Sequence, residues 1–79
     1  MVRPRLLLID DEPALATFVA DAAAMSGFDP VVASNDSMFR DHFHEELPAM
    51  VALDLGMPGM DGVELLRFLA AESFEGPVL

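Results

Sequence analysis

No cysteine occurs in this sequence of 79 residues, which excludes disulfides, thiolate metal sites and thiol catalysis together. Lysine is absent too. The basic complement is Arg3, Arg5, Arg40 and Arg67, set against 14 Asp and Glu for a formal net charge of −10. Phosphate backbones are bound through clustered basic residues, so no nucleic acid is expected to bind through this segment. Docking on anionic lipid is excluded on the same ground. An acidic surface suits a metal cation or a basic protein partner, although most such charges serve solubility alone. Long hydrophobic runs are missing as well. The stretch Leu6-Leu7-Leu8-Ile9 is too short to span a membrane or to form a signal core, and a cytoplasmic location is expected.

What is present reads as a folded α/β chain. Hydrophobic residues make up 53% of it, with no low-complexity tract or linker, and this length allows one domain at most. Residues 5–10 form an apolar run ending in acids, as in a strand buried on both faces. Pro13 opens a helix. Leu15, Phe18, Val19, Ala22 and Met25 recur along it at helical spacing, and Gly27 closes it. Residues 28–33 give a second strand. Ser34, Asn35 and Asp36 offer caps for a helix running to about Glu46, on which Phe39 and Phe43 share a face that Leu47 continues. Pro48 ends that helix, and residues 49–54 form a third strand, again ending in an acid.

A loop from Leu55 to Met60 leads into a helix that starts at Asp61 or Gly62 and runs to about Glu72, with Val63, Leu66, Leu69 and Ala70 facing inward. Gly76-Pro77 resets the chain, and Val78-Leu79 begin a fourth strand. Among the methionines, Met25 and Met38 are expected in the core, and Met57 and Met60 beneath the loop. His42 and His44 point to different faces of their helix and are expected at the surface.

Strands alternating with helices at this spacing predict a parallel sheet with right-handed crossovers, whose chemistry lies beyond the carboxyl ends of the strands. Asp10 and Asp11 (with Glu12) end the first strand and Asp54 ends the third. If those strands are neighbours, the carboxylates converge on one rim and repel each other unless a cation joins them. Magnesium suits such a site, because it takes oxygen ligands from one or two carboxylates plus a phosphate. Taken singly, each acid could be a helix cap or a partner of the helix dipole, Asp11 above all. An acid at each of two strand ends, one followed by a loop rich in glycine and proline, is poorly explained by capping.

The stretches LLLIDDEP at 6–13 and ALDLGMPGMDG at 52–62 resemble the signature segments of response-regulator receiver domains of two-component signalling. The resemblance covers essentially the whole chain in order and spacing. It implies a flavodoxin-like, doubly wound parallel sheet of strand order 2-1-3-4-5, with residues 1–79 as the N-terminal portion of one receiver domain. It also implies that Asp54 is the phosphoacceptor and that Asp10 and Asp11 form the acidic pair. Magnesium would be held by Asp10, Asp11, Asp54 and the backbone carbonyl of Gly56, with Pro58 and Gly62 shaping the loop. The implied partner is a histidine kinase or phosphotransfer protein. The chain would then accept a phosphoryl group and assist its own phosphotransfer without being a turnover enzyme.

The family completes its site with a Ser or Thr ending the fourth strand and a Lys ending the fifth. The sequence reaches neither position. Magnesium binding is therefore expected to survive weakly and phosphotransfer to be impaired, and exposed apolar surface is expected to favour self-association. A degenerate receiver, acting only as an interaction or dimerisation module, is the main alternative. Three further rivals fit poorly. A haloacid-dehalogenase-type phosphatase needs an acid where Gly56 stands. An EF-hand beginning at Asp54 would place Gly56, Pro58 and Leu65 at liganding positions. A nucleotide site would need a glycine-rich loop where Asp10-Asp11-Glu12-Pro13 stands.

Overall fold

The structure is a computed structural model that describes residues 2–54, 56 and 61–79. Met57, Pro58 and Met60, placed by the sequence in the loop, lie outside the described residues. The elements run β1 (Arg5–Ile9), α1 (Pro13–Met25), β2 (Asp29–Ala33), α2 (Asp36–Glu45), β3 (Met50–Leu53) and α3 (Gly62–Ala71). The strands form one parallel sheet in the order β2-β1-β3. Beside β3, Val78 bridges Val51 in parallel, and the Leu53 N–H donates to the Leu79 carbonyl at 3.1 Å. A fourth strand therefore begins where the sequence places it. This is the expected doubly wound, flavodoxin-like arrangement, described through its first three βα units.

The uniform apolar character of β1 follows from its central place. Leu7 and Ile9 join Phe39, Phe43, Val51, Leu65 and Leu69 on the face covered by α2 and α3. Leu6 and Leu8 join Ala16, Ala23 and Ala52 on the face covered by α1. Phe39, Leu7, Ile9, Leu65 and Val51 are fully buried, each worth about 1.5–3 kcal/mol of hydrophobic stabilisation. Among the described residues, no helix is long and apolar enough to cross a membrane.

Both predicted turns at the ends of α1 and α2 form as expected. Gly27 takes φ +94°, with its N–H donating to the Ala24 carbonyl and that of Phe28 to the Ala23 carbonyl, a Schellman-type closure. The Asn35 side chain accepts the Met38 N–H at 2.9 Å and caps α2. The third helix ends in the same way as the first, but with Ser73 rather than glycine at positive φ.

Several side chains face differently from the sequence reading. Met25 is 89% exposed and Met38 38% exposed, so neither fills the core. Along α1 the sheet side is Ala16, Val19 and Ala23, while Leu15, Phe18 and Ala22 look outward. Small alanines let this helix lie close to the strands, and the larger apolar residues sit one position round. Along α3 the buried stripe is Gly62, Leu65 and Leu69, with Phe68 packed against it. Val63, Leu66 and Ala70 are exposed, contrary to expectation; Leu69 alone of the predicted set points inward. Leu47 is 67% exposed because α2 has already ended: Glu46 is extended, at φ −155° and ψ 122°.

Candidate functional site

Strand register brings the acids together. Ile9 stands opposite Ala33 on one side and Leu53 on the other. One step further, the Asp10 N–H donates to the Ala33 carbonyl and the Asp54 N–H to the Ile9 carbonyl, both at 3.1 Å. Asp10 and Asp54 thus stand side by side on the carboxyl rim, where chain crossovers reverse direction and parallel sheets open to ligands. Asp11 follows Asp10 into the turn. Asp10, Asp11 and Asp54 each offer a carboxylate oxygen, and these oxygens all lie within 4.8 Å of one another. Asp10 is buried, Asp54 half-buried and Asp11 exposed, so the cluster is open to solvent on the Asp11 side.

Backbone amides orient two of the three. Oδ1 of Asp10 accepts the Glu12 N–H, and Oδ1 of Asp54 accepts the Gly56 N–H, each at 2.9 Å. These are Asx turns, in which an aspartate carboxylate holds the amide two residues on. Asp11 is not a helix cap: the N-cap position of α1 belongs to Glu12, whose own side chain makes no capping hydrogen bond. The capping explanation therefore fails at the position where it was strongest. Asp61 does cap α3, accepting the Val63 N–H at 2.9 Å.

The chemistry of this oxygen-only set suits a hard divalent cation. Two oxygens bound directly to one magnesium lie no more than ~4.2 Å apart, twice the metal–oxygen distance. Oxygens within 4.8 Å of one another reach that geometry by a small contraction, or through a water retained by the ion. Gly56 contributes its N–H to Asp54. A Cβ at this position would meet Asp54 Oδ1 at 3.4 Å, an ordinary contact, so the cluster does not demand glycine there.

None of the arginines serves the cluster. Arg3 donates to the Ala24 and Gly27 carbonyls at the end of α1. Arg5 donates to the His42 and Glu46 carbonyls at the end of α2 and pairs with the Glu46 carboxylate. Arg40 pairs with Asp36 and lies 4.8 Å above the Phe68 ring, and Arg67 pairs with Glu64. Sequence reading missed the helix-capping work of Arg3 and Arg5, since carbonyls that close only in space leave no local signal. His42 and His44 face Glu45 and Glu72 near the end of α2, as surface residues.

Comparison with known proteins agrees with this geometry. The family model described as the response regulator receiver domain matches residues 6–79. The chain is 38% identical over 72 residues to the DNA-binding response regulator MtrA of Mycolicibacterium smegmatis, covering 91% of this chain and 32% of that protein. It is 40% identical over 76 residues to the transcriptional regulatory protein TctD of Salmonella typhimurium, covering 95% and 34%. The chain thus spans about a third of the length of these curated relatives. Among solved structures, the receiver domain of Francisella response regulator 1452 superposes with a TM-score of 0.82 at 27% identity, covering 95% of this chain and 62% of that one. TrrA of Thermotoga maritima, solved in complex with the histidine kinase ThkA, superposes with a TM-score of 0.83 at 24% identity over 95% and 65%. The family match over nearly every residue, on a sheet whose first and third strands end in clustered aspartates, makes the chain a member of the response regulator receiver domain family.

Proposed function

We propose that this chain is a phosphoacceptor of two-component signalling, taking a phosphoryl group onto Asp54 from a phosphohistidine of a histidine kinase or phosphotransfer protein. The observation that carries the proposal is the convergence of Asp10, Asp11 and Asp54 within 4.8 Å. In the proposed reaction, the Asp54 oxygen not held by the Gly56 amide attacks phosphorus. A P–O bond forms as the P–N bond to the histidine breaks, leaving an acyl phosphate. No general base is needed, because a carboxylate nucleophile has no proton to lose as it attacks. Asp10, Asp11 and Asp54, with the Gly56 carbonyl, are the proposed magnesium ligands, and the ion when bound would neutralise phosphoryl oxygens that otherwise meet carboxylates. Asp54 acts as an acceptor here and not as a turnover enzyme.

The test is incubation with acetyl phosphate and magnesium, followed by intact mass. Addition of one phosphoryl mass, lost in Asp54→Asn, is the expected outcome. The reaction is expected to be slow, since the arginines are committed elsewhere and the sequence holds no lysine. No addition to the chain, together with none to a longer form carrying the rest of the domain, would favour the degenerate interaction module.

The same reading takes residues 1–79 as the N-terminal portion of a single receiver domain, in keeping with coverage of 62% of the Francisella receiver chain. It includes a cytoplasmic location, which cell fractionation tests. Self-association is a separate part of the proposal. Exposed Leu15, Phe18 and Leu79 support it, while the net charge of −10 opposes it. Sedimentation at high concentration that finds only monomer would reject it.

A further inference from the structure

No further inference is drawn: the strongest candidate, the groove of about 340 Å³ between α1 and the edge strand β2, ends on Asp10 and Asp11 of the site already described, and among the described residues no buried side-chain polar atom is left without a partner to define a ligand.

Discussion

The Asp54 N–H donates to the Ile9 carbonyl at 3.1 Å, which sets Asp54 one step beyond the β1–β3 ladder and level with Asp10. Main-chain pairing, and not side-chain attraction, therefore brings like charges together. The sheet's packing overrides their repulsion.

That repulsion gives a prediction with two signs. At separations of 4.8 Å or less, two carboxylates repel by about 1 kcal/mol in bulk water and about 3 kcal/mol at the effective dielectric of a protein surface. Asp11 is exposed, so the lower figure applies. Asp11→Asn should raise the urea midpoint of the metal-free chain by the equivalent of about 1 kcal/mol. In magnesium the order should reverse. Ligand binding stabilises the native state by about 2.7 kcal/mol at a hundred times Kd, and the variant forfeits most of this. Urea titrations with EDTA and with magnesium measure both signs. A variant less stable in EDTA would show that the carboxylates do not strain the rim.

Ser73 offers a stability gain remote from the rim. Its φ is +55° at the end of α3, where a side chain costs roughly 1–2 kcal/mol relative to the right-handed region. Glycine removes that cost but adds freedom to the unfolded chain. Ser73→Gly should therefore stabilise by about 0.5–1 kcal/mol. Gly27→Ala, at φ +94° in the equivalent turn of α1, should destabilise by about 1 kcal/mol. Thermal unfolding of both variants checks the pair, and Tm changes of the same sign would contradict the shared geometry.

Gly76 is constrained by contact instead of φ. A Cβ there would stand 2.6 Å from the Ala49 carbonyl oxygen and 2.5 Å from Phe74 Cζ. The Phe74 ring is part of the α2–α3 aromatic packing, 5.9 Å from Phe43, and cannot retreat freely. Gly76→Ala should cost about 1–3 kcal/mol by overpacking and loosen the pairing of Val78 and Leu79 with β3. Hydrogen exchange at the Leu53 amide, which donates to Leu79, reports the second effect. Unchanged protection there would rule it out.

How much of this was legible beforehand depended on polarity contrast. In α2 the apolar Phe39 and Phe43 stand among Asp36, Arg40, Asp41, His42 and His44, so this pair is legible as the inward face, although Met38 and Leu47 do not share it. In α1 almost every position from Ala14 to Met25 is apolar, so periodicity could not choose a face. The packing preference for small residues against the sheet made the choice instead. The segment of α3 that runs Val63, Leu65, Leu66, Phe68, Leu69 misled for the same reason. The apolar runs ending in Asp10 and Asp54 mark two buried strands but do not say that they are neighbours. Strand order is legible only through the resemblance to receiver domains, and the pairing of β1 with β3 bears it out. The turns that orient those acids were not legible, since an aspartate two residues before an amide donor is too common to mark a site.

Those turns yield the last prediction, a contrast at one position. Asp10 is 4% exposed, and its Oδ1 accepts the Glu12 N–H where β1 passes into α1. Asparagine keeps an oxygen in that place while removing a charge from the rim. Alanine removes both and leaves the Glu12 amide without its acceptor. The bond is part-buried, so its loss falls at the low end of the roughly 1–3 kcal/mol for a donor left without a partner, and Asp10→Ala should be less stable than Asp10→Asn by about 1 kcal/mol in EDTA. Both variants should weaken manganese binding, followed by electron paramagnetic resonance, because both lose the charge. If the carboxylate served the metal alone, the two would be equally stable without it. Equal urea midpoints in EDTA would therefore remove the structural half of the role assigned to Asp10.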